Sequence, residues 1–205
     1  GPAMLAFDEM LTEAFDEPAE GITAENIQSR ARGLLLMAIS NKTGTMLVTT
    51  GNKSEMSVGY ATIYGDMAGG YSVIKDVYKT DVFALCHWRN ENHPAGVLGP
   101  AGEVIPLRMI TKPPSAELRP DQKDEDSLPP YEILDAILHG LIEEDLGGAE
   151  LEEKGFDPAI VQRIWRLLEL SEYKRRQAPP GVKLTSRSFG RDRRYPITNA
   201  FRGKA

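Results

Sequence analysis

Residues 46–60 constrain this chain more than any other stretch. The apolar run Met46-Leu47-Val48 closes on Thr49-Thr50-Gly51 and gives way to Asn52-Lys53-Ser54-Glu55-Met56-Ser57-Val58. β-formers ended by Thr-Thr-Gly and followed by a helix-like run read as a buried parallel strand over 45–50, whose carboxyl end opens into a helix N-terminus. In open α/β sheets that edge is where ligands bind. Asn52 can also cap the helix with Glu55 three positions on, a variant of the capping box, so a purely local role for Glu55 stands beside any chemical one.

At 205 residues with 41% hydrophobic content, the chain can bury a sizeable core as one domain. No apolar run reaches the roughly 20 residues that span a bilayer, and no basic-then-apolar leader opens the chain, so a soluble, cytoplasmic protein without membrane contact is expected. Gly1-Pro2 fits either an expression remnant or the native chain entering a helix. The single cysteine, Cys86, excludes an internal disulfide framework and reads as a core thiol. His87, His93 and His139 share no spacing of a zinc set. The net charge of −6 conceals an asymmetry: from Lys174 onward ten Lys and Arg face Asp192 alone, a net of +9 that leaves −15 for the remainder. Such a tail suits a phosphate-bearing ligand, a nucleic acid or an acidic neighbour, and charge alone does not choose.

Apolar spacing predicts an amphipathic helix over 4–15 and a second from Thr23, as N-cap, to about Lys42. The second half of that helix, with Leu34, Leu35, Leu36, Met37 and Ile39, is apolar nearly all round and is expected to be buried on both sides. Residues 60–75 carry too many glycines for a helix and suit a loop that lets backbone approach a ligand. A helix follows from Lys79 to about Asn90, with a cation at its start that is unfavourable unless something anionic faces it. Residues 92–111 read as a loop with short strand character at Val104-Ile105. Beyond the proline-rich, charged stretch 113–130, helices are predicted over 131–144, near 150–154, and from Asp157-Pro158 to Gln177, the last burying Ile160, Ile164, Leu167 and Leu168. In the tail, Phe189-Gly190-Arg191-Asp192-Arg193-Arg194-Tyr195-Pro196 interleaves arginines with aromatics; without a nucleic-acid-binding fold, packing on the acidic body or a neighbour is the preferred reading.

Gly51-Asn52-Lys53-Ser54-Glu55, followed by Tyr64-Gly65-Asp66 and then Lys75-Asp76-Val77-Tyr78-Lys79-Thr80, closely resembles the synthetase domain of NAD synthetases, most strongly the glutamine-dependent type. The resemblance covers nearly the whole chain. It implies an α/β fold with a Rossmann-like parallel sheet of the adenine nucleotide alpha hydrolase type and a mostly helical C-terminal part. It also implies a ligase: ATP adenylates the nicotinate carboxylate of deamido-NAD, pyrophosphate leaves, and ammonia from a glutaminase domain attacks the acyl-adenylate to give NAD and AMP. By position, Thr50, Lys79 and Ser115 match ATP contacts. Glu55 matches the carboxylate that contacts both magnesium and deamido-NAD, while Asn26, Arg30 and Lys174 match further deamido-NAD contacts. ATP and Mg²⁺ are thus the implied cofactors. A homo-oligomer, with the substrate site at the dimer interface reached by Arg30, is the implied assembly; no nucleic-acid partner is. The stretch 113–130 is implied to close over ATP.

Each of these residues has a plainer reading. Asn26 and Arg30, four apart on one helix, can be a solvated pair. Lys174, Arg175 and Arg176 favour the dipole of a last helical turn. Residues 113–130 can be a solvated linker. The sequence also departs from the ammonia-dependent enzymes, which have a lysine where this chain has Ile63 and an acid near Gly70, so neither contact is carried over. The Ser-Gly-Gly-x-Asp-Ser loop that grips pyrophosphate in this class is not in the sequence, nor is a glutaminase domain. Residues 1–205 are therefore expected to be the C-terminal portion of a longer enzyme. Two other readings remain: a nucleobase-thiolating or GMP-forming member of the same pyrophosphatase class, and a non-catalytic nucleotide-binding module.

Overall fold

In a computed structural model, residues 1–119 and 121–198 are described. Two helices open the chain, α1 (Pro2–Phe15) and α2 (Gly21–Thr43). Then come β1 (Val48–Thr49), α3 (Lys53–Val58), β2 (Tyr71–Ser72) and α4 (Lys79–Glu91). The second half is helical: α5 (Leu107–Thr111), a 3-10 turn at Asp124–Asp126, α6 (Tyr131–Ile142), α7 (Gly148–Glu153), α8 (Pro158–Leu170) and α9 (Glu172–Arg175). The two strands are parallel, with Val48 opposite Tyr71 and Thr49 opposite Ser72. A parallel pair needs a crossover, and α3 with the loop after it supplies one.

The core lies where α6, α7, α8 and α3 meet. Leu134, Ile137, Leu138 and Ile142 of α6 are buried against Val161, Ile164 and Leu168 of α8 and Leu151 of α7. α8 starts where the sequence places it, with Pro158 in its first turn and the Asp157 carboxylate accepting from the Ile160 N–H at 3.0 Å. That cap satisfies one of the helix's orphan donors. Because α3 packs on both α6 and α8, the turn at Gly51 stands on the best-packed part of the molecule.

Several sequence expectations change. α2 begins at Gly21 after Glu20, so Thr23 lies inside the helix and caps nothing. Its second half is not buried on both sides: α1 and the 59–66 loop leave Leu34, Leu35, Leu36 and Ile39 exposed. The strand is shorter than 45–50, and Met46 and Val48 are exposed while Thr49 alone is buried. Cys86 is half-buried on α4 rather than in the core. Val104 and Ile105 form no strand, because their N–H groups both donate to Asn90 Oδ1, at 3.0 and 2.9 Å, so a side chain takes the partner's place. α5, of five residues, is too short to leave a periodic signal. The helix from Pro158 stops at Leu170, where the Ser171 hydroxyl donates back to the Leu167 carbonyl at 2.6 Å. In the last long helix Val161 is buried, while Ile160 and Leu167 only flank the core.

The basic tail does pack on the acidic body. Asp145 pairs with Arg187 and Arg193, and Asp76 accepts from the N–H groups of Leu184 and Thr185 at 2.7 and 2.8 Å. The final part of the tail, 199–205, lies outside the described residues, as does Pro120 in the 113–130 stretch. Among the described residues, no helix is long and apolar enough to cross a membrane.

Leu138 is fully buried, so Leu138→Ala is expected to destabilise the protein by about 2–5 kcal/mol through lost transfer energy and a residual cavity. Leu170 is mostly exposed, and Leu170→Ala is expected to stay within about 0.5 kcal/mol. Urea denaturation followed by circular dichroism compares the two directly.

Candidate active site

The turn after β1 is built by reciprocal capping. Asn52 Oδ1 accepts from the Glu55 N–H at 2.9 Å, and Glu55 Oε2 accepts from the Asn52 N–H at 3.2 Å. The capping reading of Asn52 and Glu55 is therefore present in the structure. It leaves Glu55 Oε1 free of capping duty, and this oxygen accepts from Lys79 Nζ at 3.0 Å. Burial pushes the Glu55 carboxyl above the usual range, opposed by the Lys79 charge and by the Asn52 N–H. The anion that Lys79 needs at the start of α4 is thus Glu55.

A second carboxylate fixes where Lys79 stands. Asp135, on α6, accepts from the Thr80 N–H and hydroxyl, both at 2.9 Å, and from the Ser54 hydroxyl. Ser54 Oγ in turn accepts from the Lys79 N–H at 2.8 Å. An acid at a helix N-terminus is favourable by the dipole and by the orphan N–H groups it satisfies. Burial raises the Asp135 carboxyl, while the Ser54 and Thr80 donors pull it down. Three helices, α3, α4 and α6, are tied together within one residue of Lys79.

Lys53, next to Asn52, is fully buried. Its ammonium pairs with Glu143 Oε1 at 2.5 Å and Asp76 Oδ1 at 3.1 Å, and donates to Thr185 Oγ1 at 2.6 Å and the Arg187 carbonyl at 2.9 Å. Burial opposes charge on both acids. For Asp76, the Thr185 and Leu184 N–H donors and Lys53 outweigh it; for Glu143, Lys53 and Ser186 do, so both carboxyls sit below their ordinary range.

The expected dinucleotide contacts converge on the loop from Gly59 to Asp66. Lys174 Nζ donates to the carbonyls of Gly59 and Ala61 at 2.6 and 2.7 Å. Arg30 Nε donates to the Ile63 carbonyl at 3.2 Å, and the Thr62 hydroxyl donates to Asn26 Oδ1 at 3.1 Å. Asp66 Oδ1 accepts from the Thr62 N–H at 2.6 Å and the Ser29 hydroxyl at 3.3 Å. The loop lies close on α2 because of two glycines: a Cβ on Gly33 would stand 2.8 Å from the Gly65 carbonyl oxygen, and one on Gly65 would stand 2.2 Å from Ser29 Oγ. Gly59 ends α3 at φ +72°, which favours glycine.

Thr50 is exposed at the carboxyl end of β1. Ser115 lies elsewhere, in a surface groove with Gln28 and Lys112, where its hydroxyl accepts from the Glu117 N–H at 3.1 Å. The structure therefore joins Glu55 with Lys79, and Asn26, Arg30 and Lys174 with one loop, but no described hydrogen bond joins Thr50 or Ser115 to either group. Sequence reasoning missed Asp135 and Lys53 as parts of the site's frame. The signal for Asp135 was an acid inside the apolar run Leu134-Asp135-Ala136-Ile137-Leu138. Among the described residues, no three His, Cys, Asp or Glu side chains are grouped to hold a metal ion.

Removing Lys53 leaves two acids buried without their cation, so Lys53→Met is expected to destabilise the protein by about 3–5 kcal/mol at pH 7. Both carboxyls are depressed in the folded protein, so their stabilisation is present above the ordinary values of 3.8 and 4.5 and is lost as pH falls through the lower folded values. The variant's penalty should therefore shrink on acidification below about pH 4, because protonated carboxyls need no cation. Denaturation curves of both proteins between pH 3 and 7 measure this; a penalty independent of pH would contradict the role given to Lys53.

Residues 2–178 match the family model for NAD synthase. The chain is 59% identical over 187 residues to the glutamine-dependent NAD(+) synthetase of Rhodobacter capsulatus, covering 91% of this chain and 34% of that protein. It is 52% identical over 201 residues to the enzyme of the same name from Acinetobacter baylyi, covering 98% and 36%. It thus spans about a third of the length of the curated relatives it matches. Among solved structures, the glutamine-dependent NAD(+) synthetase of Cytophaga hutchinsonii superposes with a TM-score of 0.74 at 24% identity, over 96% of this chain and 32% of that one, which shows a shared fold. The fold is accordingly α/β, of the kind built around a parallel sheet in these synthetases, with a helical C-terminal half. On the family match and the identity to its relatives, this chain belongs to the NAD synthase family.

Proposed function

We propose that residues 1–205 are the C-terminal portion of the synthetase domain of a glutamine-dependent NAD synthetase, which amidates deamido-NAD at the expense of ATP. One observation carries this reading beyond family membership. Asn26, Arg30 and Lys174, far apart in sequence, all hold the loop that leaves α3, and the first turn of the same helix presents Glu55 paired with Lys79. Three of the four proposed dinucleotide contacts thus hold the loop at the C-terminal end of this six-residue helix, and the Glu55–Lys79 pair stands at its N-terminal end.

The chemistry requires charge management before any bond changes. A carboxylate oxygen of nicotinate attacks the α-phosphorus of ATP, and the bond to pyrophosphate breaks. Ammonia then attacks the acyl carbon, and AMP leaves with the bonding pair of the C–O bond. Lys79 is the cation for the triphosphate, held at the mouth of α4 by the Ser54 and Asp135 bonds. With Lys79 engaged by the triphosphate, Glu55 Oε1 would be the oxygen available to hold the Mg²⁺ that ATP carries. Mg²⁺ fits here only as such a nucleotide-borne ion, since it is commonly held by one or two carboxylates together with substrate phosphates, and no protein cage is grouped among the described residues. Bound there, it would supply neutralisation of the charge that develops on the phosphates. Thr50 and Ser115 supply hydroxyls to ATP, and Lys174 offers the dinucleotide a cation whose pKa burial has lowered. The exposed apolar residues of α1 and α2, beside Arg30, support a homo-oligomer with the substrate site at the subunit boundary. The enzyme is read as cytoplasmic, without a nucleic-acid partner.

The direct test uses the full-length protein with ATP, Mg²⁺, deamido-NAD and either glutamine or ammonium; NAD formation supports the reading, and its absence refutes it. Glu55→Gln is expected to lower turnover about a hundredfold, the few kcal/mol of one metal carboxylate, with deamido-NAD affinity within a few-fold. Near-normal turnover across a magnesium titration would return Glu55 to its cap. Lys174→Met is expected to weaken deamido-NAD binding about tenfold, as for one hydrogen bond made by a charged group. Calorimetry beside a thermal melt separates this from structure: a large melting shift with unchanged affinity would make Lys174 a loop tie alone.

A further inference from the structure

Asp124 is a buried acid that the proposed mechanism does not use. It opens the 3-10 turn, is 3% exposed, and its carboxylate accepts from the Tyr131 hydroxyl through Oδ2 at 2.7 Å. Oδ1 has no hydrogen-bond partner of good geometry among the described residues, and the Tyr60 phenol faces the same carboxylate. The nearby basic groups are engaged elsewhere: Lys79 with Glu55, and Arg119 with Glu25 and Asp126. A carboxylate buried without a paired cation is costly and depends on the phenolic donors around it.

The backbone of the same residue ties the 113–130 stretch together. The Asp124 N–H donates to the Pro114 carbonyl at 2.9 Å, and the next residue is Ser115. The Asp124 carbonyl in turn accepts from the N–H groups of Ser127 and Leu128, at 3.0 and 2.9 Å, so the turn is locked onto the start of α6. At the other end of the chain of contacts, Lys79 Nζ stands 5.3 Å above the Tyr131 ring while bonded to Glu55. Tyr131 is itself 5% exposed at the first position of α6, so its hydroxyl is a fixed point rather than a mobile one.

We propose that Asp124 is a positioning residue: held by the Tyr131 hydroxyl, its backbone fixes Pro114 and thereby sets Ser115 relative to the Glu55–Lys79 pair, and this determines ATP affinity. Burial, with Glu55 and Asp124 nearby, raises the Tyr131 phenol, which keeps it a hydrogen-bond donor throughout the working pH range. The inference rests on the reading of Ser115 and Lys79 as ATP contacts. It needs no change in which residues touch the nucleotide, only in what places one of them.

The test compares Tyr131→Phe, Asp124→Ala and Asp124→Asn in the full-length protein. Phe keeps the buried ring and removes only the hydroxyl; Asn keeps an acceptor for it. Tyr131→Phe and Asp124→Ala are each expected to raise KM for ATP about tenfold, the loss expected for one hydrogen bond to a charged group. KM for deamido-NAD should stay within about twofold, and Asp124→Asn should restore KM for ATP to within about threefold of wild type. Adding Ser115→Ala to Asp124→Ala should cost no more than Asp124→Ala alone, because a misplaced hydroxyl has nothing left to lose. Equal changes in KM for both substrates, or an additive Ser115→Ala, would overturn the positioning role. Wild-type protein that forms no NAD would instead overturn the functional reading, so the two failures are distinguishable.

Discussion

The buried ammonium of Lys53 is the interaction on which the rest of the arrangement depends. It lies in the first turn of α3, between the cap residue Asn52 and the hydroxyl of Ser54, and it joins three regions far apart in sequence: Asp76 before α4, Glu143 after α6, and the tail at Thr185 and Arg187. A lysine taken wholly out of water must have its charge answered, and here two carboxylates and two neutral oxygens do so. The consequence is directional. The same acids that satisfy Lys53 also accept from tail N–H groups and from Ser186, so the tail is part of the support of α3 rather than an appendage. The acidic body and the basic tail are complementary because one cation, buried between them, requires acids that then recruit further donors.

From that support the candidate site inherits a pattern: Glu55, Lys79, Arg30 and Lys174 each already have a structural partner. Glu55 caps its helix with one oxygen and holds Lys79 with the other. Lys174 ties two carbonyls of the 59–66 loop, and Arg30 ties a third. These bonds hold the side chains in place, and under the proposed function a ligand would bind by exchanging partners with them, not by meeting free charges. Exchange moderates affinity, since each new contact replaces one of comparable kind. It also means that orientation is set in advance, which under the proposed function would lower the entropic cost of bringing carboxylate and triphosphate together.

How much of this was legible in the sequence follows from what each signal measures. Long apolar periods were reliable: the helices beginning at Tyr131 and Pro158 stand where the pattern puts them, because burial against neighbouring helices is what writes such a pattern. Capping chemistry was legible too, at Asn52-Glu55 and at Asp157, since it is complete within four residues. What failed were statements about which face of an element is covered. The apolar half of α2 read as buried on both sides and the strand as buried, yet Leu34, Leu35 and Val48 are exposed on this chain. An apolar pattern records that a surface is to be covered and does not record by what. The site frame was illegible for a related reason. Asp135 meets Thr80 across 55 residues, and Lys53 meets Thr185 across 132, distances at which no local spacing carries information.

The exposed half of α2 and the satisfied interior of the site bear on each other. Arg30 lies on α2 between the two: its guanidinium reaches the Ile63 carbonyl, while the residues one and two turns on, Leu34 and Met37, line an apolar cleft with Phe7 of α1 and Met67 of the loop. Whatever covers that cleft must therefore press on the same loop that Asn26 and Lys174 hold. A loop pinned by three long side chains along one edge and closed on the other by a covering surface has few alternative conformations left. Burial of apolar area outside the site would then be converted into order within it, at a position where glycines at 59 and 65 leave the backbone free to take the required path. The dependence of the 59–66 loop on an apolar surface outside the candidate site follows from this geometry, in which α2 contributes to both.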